Sequence, residues 1–175
     1  MHPRYRGLAV AVSLPLVLGL AACTHDQKSF GVSGIGIDSA GRPVGVVEVC
    51  KGHMDGAWLM VRSKDPSQGH RGEWAAKPSV SPGFTSWSLA DGAGPWTITH
   101  ALAPLEPGVG YTFFAWAGDD NSQADAVDFS AKDLASLRPG QVLWLTGVTA
   151  KGADINSVAS ETDFQARACT APKSP

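Results

Sequence analysis

Short apolar or alternating segments, separated by turn-forming residues, recur along most of the chain. They are rich in Val, Thr, Phe, Tyr and Trp, which β-strands favour, and each is shorter than a typical helix. Gly, Pro and Asp cluster between them, as is typical of turns. The pattern therefore predicts an all-β domain. The segments are FGVSGIGI, VGVVEVC, AWLMVRS, FTSWSLA, PWTITHA, YTFFAWA, AVDFS and VLWLTG.

One segment, SAKDLASLRPG, has helix signals instead. Ser130 is a candidate N-cap, Asp133 follows three residues later, and Pro139 and Gly140 form a stop signal. A side chain at the N-cap and one three residues on can bond each other's backbone and stabilise the first turn. We therefore predict one short helix over 131–137.

The segment LEPGVGYTFFAW has the residues of a particular turn. Leu105, Pro107, Gly108 and Tyr111 resemble the turn before the sixth strand of fibronectin type III and immunoglobulin-like domains. In those domains the tyrosine ring packs beside the turn, and its hydroxyl bonds to backbone a few residues upstream. The resemblance implies an immunoglobulin-like antiparallel β-sandwich over 30–170.

The same resemblance implies how the neighbouring strands are arranged. Residues 96–101 would precede the corner, 111–117 would form the sixth strand, and 126–130 would pair with it as a hairpin. Phe113 stands two residues after the tyrosine, where antibody domains have a cysteine. The intersheet disulfide of antibody domains is therefore not expected, and VLWLTG would be an additional strand.

The first 22 residues have the three-part layout of a secretory signal. Arg4 and Arg6 provide a positive start, an uncharged apolar run extends from Leu8 to Leu20, and small residues follow. As a helix this run would be about 20 Å long, which is short for crossing a bilayer. We therefore predict a signal peptide over 1–22 rather than a permanent membrane span.

The signal segment ends in Leu20, Ala21, Ala22 and Cys23, which resembles the lipobox of bacterial lipoproteins. The resemblance implies cleavage before Cys23, lipid on its thiol, and a protein anchored to the extracytoplasmic face of the cell membrane. Two or three acyl chains are enough to hold a protein on a bilayer. Residues 23–29 would form a lipidated tether, and no cofactor besides the lipid is expected. The Ala-rich and Gly-rich composition is similar to that of actinobacterial proteins.

Lipid on Cys23 would leave the mature chain with two cysteines, Cys50 and Cys169. Exported proteins reside in oxidising surroundings, where a pair of cysteines normally bonds. The lipobox resemblance therefore implies a Cys50–Cys169 disulfide. Residues 171–175, beyond it, are expected to be a disordered tail.

The stretch CKGHMDG combines residue types that a soft metal ion would bind. Cys50, His53 and Met54 would suit copper(I), but a blue-copper site needs a second histidine at a set spacing late in the chain, and the sequence has none. The other interpretation is a hairpin connection over 51–56, because Gly and Asp are frequent in turns. We expect this turn, with His53 and Met54 at its tip, and no metal.

The stretch GDDNSQADAVD is rich in hard oxygen ligands of the kind that calcium binds. It lacks the glycine and the closing glutamate of an EF-hand loop. A solvated loop between strands is the expected structure. Asp119 and Asp120 remain candidate ligand contacts.

The six tryptophans separate into those within predicted strands and those outside them. Trp74 lies in HRGEWAAKPSVSPG, which we interpret as a polar, proline-rich loop. An exposed indole there, with His70 beside it, could stack on a sugar or a partner surface. The alternative is a loop residue whose ring folds back on the core. Four other tryptophans are expected in the core: Trp58, Trp87, Trp116 and Trp144.

The net charge and the lack of common catalytic motifs reduce the number of function classes that the sequence supports. Without Arg4 and Arg6, 12 of the 14 basic residues remain against 16 acidic residues, so the mature chain has a formal charge of −4. That charge argues against a nucleic-acid partner. Nucleophile-elbow, zinc-protease, C-x-x-C and phosphate-loop motifs are missing from the sequence.

The expected function is a non-catalytic, lipid-anchored binding module that presents its loops to a glycan or protein of the cell envelope. An envelope hydrolase is the first alternative. A solute-binding component of a transporter is the second, although such proteins usually have two lobes and a longer chain.

Overall fold

The structure, a computed structural model, describes residues 28–63, 69–118 and 122–170. Within these ranges the chain forms eleven strands and two helices. The strands of the first half are β1 (Lys28–Ile37), β2 (Pro43–Val49), β3 (Met54–Val61), β4 (His70–Val80), β5 (Gly83–Ser88) and β6 (Trp96–His100). The later elements are β7 (Gly110–Trp116), β8 (Ser122–Asp125), β9 (Val127–Ser130), α1 (Ala131–Ser136), β10 (Gln141–Val148), β11 (Asp154–Ser160) and α2 (Glu161–Ala168). The predicted all-β class is confirmed.

Strand β1 joins the two parts of the hydrogen-bonded sheet. One of its edges pairs antiparallel with β2, while the other pairs first with β8, in parallel, and then with β10, antiparallel. One part, which we call the β1 half, has the strand order β5-β2-β1-β10-β11. The other, the β7 half, contains β6-β4-β3-β7 with β9 also on β7, and β8 connects it to β1. Together they enclose a nearly barrel-shaped core.

The main core lies between the two halves. The buried hydroxyl of Ser33 on β1 accepts a hydrogen bond from the backbone N–H of Ala115 on β7, at 3.1 Å. Trp87 on β5 and Trp96 on β6 stack with their ring centroids 3.8 Å apart, which closes the side where the two halves meet. Because side chains alternate along a strand, the neighbours of these core residues face outward on each half.

The outer face of the β1 half is covered by α2. Phe164 and Ala168 are buried there against Val32 and Trp144 in a second, smaller core. Immediately after α2, Cys169 is bonded to Cys50, the residue that follows β2, across 119 positions of sequence. The predicted disulfide is thus present, and it secures the end of this helix to the sheet.

The corner before β7 has the expected hydrogen bond. Tyr111 is buried, and its hydroxyl accepts from the backbone N–H of Glu106 at 2.7 Å. Leu105 packs against the main core, and Gly108 has a φ of 78°, a left-handed conformation that glycine tolerates best. Pro107 lies in the turn between them. Strand β9 pairs antiparallel with β7, as the sequence predicted.

Of the two helices in the described residues, the sequence predicted α1 but not α2. Helix α1 begins after Ser130, whose side chain and that of Asp133 cap each other's backbone as expected. The second helix, α2, was missed although it has the same signal: the Ser160 side chain accepts from the backbone N–H of Asp163. Only Phe164 and Ala168 are buried along α2, so its apolar stripe is short. Because most of its other residues are polar, the sequence of α2 looks like that of a loop.

Two boundaries differ from the predictions. Strand β1 begins at Lys28, two residues inside the predicted tether. The stretch 51–56 is not a hairpin, because β2 pairs with β1 and β5 whereas β3 pairs with β4 and β7. It carries the chain from one half to the other, and Met54, predicted at a tip, is fully buried at the start of β3.

The signal peptide, Cys23 and the tail over 171–175 lie outside the described residues. No helix in the described ranges is long and apolar enough to cross a membrane.

Candidate functional site

Trp74 is a core residue, so the alternative of a ring packed on the core is correct and the exposed ligand contact is not. The segment expected to be a loop forms β4, and the Trp74 ring is fully buried with its Nε1 donating to the Leu89 carbonyl at 3.2 Å. Gly72 and Ala76 are the other inward-facing residues nearby. Their small size hid the alternation, yet a β-carbon at Gly72 would stand 2.5 Å from the Trp74 ring, so the indole needs that space.

The exposed aromatic residues instead lie on the outer face of the β7 half. Trp58 is the middle of a row of three rings: its centroid is 4.7 Å from that of His70 and 5.3 Å from that of Trp116. Phe114 packs edge-on against Trp58 at 5.8 Å. We call these four residues the aromatic face. Its tryptophans and Phe114 are partly exposed, and the His70 side chain is 36% exposed.

This corrects the expectation that Trp58 and Trp116 belong to the core. Each alternates with a buried neighbour, Leu59 after Trp58 and Ala115 before Trp116, so each must face outward. Trp87 and Trp144, by contrast, are buried as predicted. His70, assigned to a loop, begins β4 and contributes a ring to the row.

Gly56 leaves room for the tryptophan at the end of this row. Trp116 on β7 is the cross-strand neighbour of Gly56 on β3. A β-carbon at Gly56 would stand 2.6 Å from the Cε2 atom of the Trp116 indole, so the ring occupies the space that a side chain would take. The Trp116 ring therefore packs against the backbone of β3 at Gly56.

The two helices make their main contacts elsewhere. Helix α2 packs on β10 and β11. Helix α1 contacts β1 and β9, the latter a strand of the β7 half, and its buried Leu134 belongs to the main core. The outer face of the β1 half is thus covered by a helix, whereas the β7 half keeps partly exposed rings on its outer face. An aromatic surface of this kind is typical of a binding site.

The indole N–H groups of the row have no acceptor. Trp58 Nε1 and Trp116 Nε1 are shielded from solvent and make no hydrogen bond. The same is true of the Nε1 atoms of Trp87 and Trp144. The latter two lie in the cores, where nothing from outside can reach them.

Polar side chains border the row. Glu73 on β4 is the cross-strand neighbour of Trp58, and Gln123 on β8 is that of Trp116. The Glu73 carboxylate also lies 3.9 Å from Nδ1 of His70. The aromatic face therefore has planar hydrogen-bonding groups on both sides.

A separate polar cluster is centred on Asp55. Its carboxylate accepts from the Ser79 hydroxyl at 2.5 Å and from the Gly118 backbone N–H at 2.6 Å, and it lies 3.1 Å from Nε2 of His53. Burial raises the pKa of Asp55, but the hydrogen bonds from Ser79 and Gly118, together with His53, outweigh it and hold the pKa below its usual value. The cluster ties the start of β3 to the ends of β4 and β7.

Serine, histidine and aspartate are also the residue types of a hydrolase triad. In a triad the histidine stands between the other two, because it must take the proton from the serine. Here the Ser79 hydroxyl bonds to Asp55, and Asp55 stands between Ser79 and His53. The cluster is therefore a structural contact between β3, β4 and β7, which we call the clasp around Asp55.

Only part of the acidic stretch that follows β7 lies within the described residues. Asp119, Asp120 and Asn121 lie outside the described residues. Asp128 has its carboxylate bonded to Arg62 at 3.0 Å and to the Thr112 hydroxyl at 2.5 Å. In the part of the chain that the structure describes, no three His, Cys, Asp or Glu side chains are grouped to hold a metal ion.

Asp154 stands next to Asp128. Burial, and after it the charge of Asp128, raise the pKa of Asp154 above its usual value, while Arg62 acts in the opposite direction. The pair connects the start of β11 to β9, at the side where the β1 half approaches the β7 half.

An apolar cleft of about 330 Å³ lies at the C-terminal end of β1. It is open to solvent, and Leu134 of α1 forms part of one wall while Ile37 and Pro43 form part of the other. The Asp38, Arg42 and Asp91 side chains form ion pairs beside it. The cleft lacks the convergent buried polar groups that usually orient a small ligand.

Comparison with known proteins gives no match to this chain among protein-family models, curated proteins or solved structures. The aromatic face is therefore argued from its own geometry.

Adjacent large apolar residues were the signal that could have revealed this face. Trp58 and Leu59 on β3, and Phe113 and Phe114 on β7, are neighbours in sequence and must face opposite sides of their strands. Strands apolar on both faces indicate a second packed or binding surface. The sequence alone could not distinguish the inward member of each pair.

Proposed function

We propose that this protein is a lipid-anchored, extracytoplasmic and non-catalytic binding module whose ligand surface is the aromatic face. The observation that carries the proposal is the row of His70, Trp58 and Trp116, partly exposed on a sheet face to which neither helix is docked. Exposed aromatic clusters of this kind are enriched at binding surfaces, because they bury a large area at a low entropy cost.

The anchor part of the proposal rests on the signal layout and on the lipobox resemblance ending at Cys23. With β1 beginning at Lys28, four residues separate Cys23 from the first strand. Fully extended, the five intervening steps span at most about 18 Å. A lipidated Cys23 would therefore hold the domain close to the membrane, in reach of components at its surface.

We further propose that the fold is a variant of the immunoglobulin-like sandwich. Support comes from the Tyr111 corner and from the antiparallel pairing of β9 with β7. The parallel pairing of β1 with β8 and the nearly closed sheet are the variations.

The hydrolase and solute-binding alternatives have weaker support. The clasp around Asp55 has the residues of a triad in the wrong order, and the cleft beside α1 has no buried polar side chains among the residues that line it. Turnover of peptidoglycan or ester substrates by the purified protein would favour the hydrolase instead.

The experiment is capture from cell-envelope extract by the wild-type protein and two variants. Trp58→Ala removes the centre of the row. Ile98→Ala removes an apolar side chain on β6 that is 36% exposed and lies outside the row, and it serves as the control. We expect a component that the wild type and Ile98→Ala retain and Trp58→Ala loses; equal capture by all three proteins, or none by any, would overturn the role of the face.

The anchor is tested separately by membrane fractionation. The wild-type protein is expected in the membrane fraction, and a Cys23→Ala variant in the soluble fraction. Equal membrane association of the two proteins would refute the lipid anchor but leave the aromatic face untouched.

A further inference from the structure

We infer that the partner of the aromatic face is the lipid bilayer to which Cys23 would be attached, and that the domain lies with this face in apolar contact with the bilayer surface. This inference rests on the proposed function and names its ligand as phospholipid. It follows from the place where the tether joins the fold, from the packing of the rings and from the charges beside them.

The tether joins the fold beside the aromatic face. Strand β1 begins at Lys28, and Ser29 on β1 is the cross-strand neighbour of Gln123 on β8. Gln123 is in turn the cross-strand neighbour of Trp116 on β7. Because adjacent strands lie about 4.8 Å apart, the backbone of Trp116 is roughly 10 Å from the start of β1. The attachment point and one end of the aromatic row therefore lie at the same end of the sheet.

The tether is short enough to keep this end of the sheet at the membrane. The chain from Cys23 to Lys28 spans at most about 18 Å when it is fully extended. A short tether holds the lipid at a high effective concentration around the domain, so that even a weak contact is occupied. The bilayer is therefore the partner that the chain itself places next to Trp116.

The packing of the rings suits a lipid surface. The rings of His70 and Trp116 are tilted by 42° and 43° against that of Trp58, with centroids 4.7 and 5.3 Å away. Rings packed in this way form a continuous apolar surface rather than a flat platform. Phe114 and Met60, the latter on the same side of β3 as Trp58, are also partly exposed. A bilayer interface requires apolar area but no fixed ring orientation, and tryptophan is enriched there.

The charges beside the face indicate an apolar rather than an electrostatic contact. Arg62, which follows β3, is paired with Asp128 at 3.0 Å. On β4, the Glu73 carboxylate lies 3.9 Å from Nδ1 of His70. Anionic lipids attract clusters of unpaired lysine and arginine side chains, and these two pairs add no net positive charge. We therefore expect the contact to depend little on headgroup charge or on salt.

The test uses the intact, lipidated protein reconstituted on vesicles, with flotation to confirm that it is attached. The vesicles consist of phosphatidylcholine brominated near the top of its acyl chains, alone or mixed with phosphatidylglycerol. Bromine quenches tryptophan emission at short range. Quenching would report on Trp58 and Trp116, because the other four tryptophans are buried: Trp74, Trp87, Trp96 and Trp144.

Two variants separate contact by this face from contact by another surface. We expect the wild type to be quenched, in both kinds of vesicle, and a Trp58→Phe, Trp116→Phe double variant to lose that quenching while the buried tryptophans still emit. Ile155→Trp, made in the double variant, adds a reporter at a 45% exposed position of β11 in the β1 half. This reporter is expected to stay unquenched. Thermal unfolding shows whether each variant is folded.

The outcomes distinguish the inference from the proposed function. Quenching that the double variant loses supports both. Quenching that persists in the double variant, that is equally strong at Ile155→Trp, or that occurs only with phosphatidylglycerol and disappears with salt would overturn the inference. Protein that does not float with the vesicles would remove the anchor and, with it, the inference.

The capture experiment with Trp58→Ala completes the distinction. If the wild type is not quenched but Trp58→Ala still loses a component of the envelope extract, the bilayer inference is wrong and the proposed function stands. If the wild type is not quenched and capture does not depend on Trp58, both are wrong.

Discussion

The indole of Trp116 on β7 lies on the backbone of Gly56 on β3, in the space where a side chain would otherwise stand. Because Gly56 has no β-carbon, the neighbouring strand can pack a large ring against the backbone at this position. The same glycine is closely approached by the Trp74 carbonyl, 2.9 Å from the position of a β-carbon. The site is therefore crowded from two sides.

Gly56→Ala is expected to tilt the Trp116 ring and to destabilise the protein by about 1–3 kcal/mol, the usual cost of overpacking. Chemical denaturation measures the loss, and the fluorescence of the indole reports its displacement. Gly110→Ala is the matched control, because a β-carbon there would meet its nearest neighbour at an ordinary 3.5 Å. Equal stability of the two variants would contradict the close contact.

Tyr111→Phe removes the hydroxyl that accepts from the Glu106 N–H and leaves this partly buried donor unpaired. We expect a loss of about 1–2 kcal/mol, typical of an unsatisfied polar group. Glu106→Ala keeps the backbone N–H and removes only an ion pair with Arg71, so it should cost less than about 1 kcal/mol. A neutral Tyr111→Phe variant would mean that the corner does not stabilise the fold.

Removal of the Cys50–Cys169 disulfide is expected to lower the free energy of unfolding by up to about 4–5 kcal/mol, because the bond closes a very long loop. Helix α2 should lose its protection from amide hydrogen exchange first, since it is the element next to the bond. A Cys50→Ser, Cys169→Ser double variant should behave as the reduced wild type does. Identical unfolding of the oxidised and reduced protein would argue against this stabilisation.

Asp55→Asn is expected to destabilise the protein near neutral pH by about 1–3 kcal/mol, since the carboxylate accepts two hydrogen bonds. The lowered pKa of Asp55 means that the folded state binds its proton less tightly than the unfolded state. The stabilisation is therefore present above the usual pKa of aspartate and is lost as the pH falls through the lower, folded-state value.

Denaturant unfolding of the wild type and Asp55→Asn at about pH 7 and about pH 3 measures this dependence. The difference between the two proteins should shrink at the acidic pH. Ser79→Ala removes one of the two hydrogen bonds and should show a smaller difference at neutral pH. A gap between wild type and Asp55→Asn that stays constant with pH would contradict the low pKa.

Local patterns predicted those parts of the fold whose signals lie close together in sequence. The alternating runs, the Ser130 cap and the Tyr111 corner each depend on a few adjacent residues, and each is found in the structure. The disulfide was predicted because the lipobox interpretation removed the third cysteine from consideration. Its two partners are far apart in sequence but meet once α2 packs on the sheet.

The sequence could indicate a second apolar surface, but which aromatic residues lie on it depends on tertiary contacts. Trp58 was placed inside and Trp74 in a loop, exposed or folded back on the core, whereas Trp58 faces outward and Trp74 lies buried on a strand. Trp58 lies on a strand with large apolar residues on both faces, and only the partner layer decides which face is buried. Trp74 lies on a strand whose other inward residues, Gly72 and Ala76, are too small to show the alternation. The inward position of Trp74 depends on Gly72 and on the distant Leu89 carbonyl.

The central claim is that the aromatic face is covered by a ligand where the protein works. Hydroxyl-radical labelling, read by mass spectrometry, compares the purified protein with the protein in intact cell envelopes. We predict that Trp58 and Trp116 are protected in the envelope, while Ile155 and Val158, the exposed apolar residues of β11, are labelled equally in both. Equal labelling of Trp58 and Trp116 in the purified and envelope samples would contradict the claim.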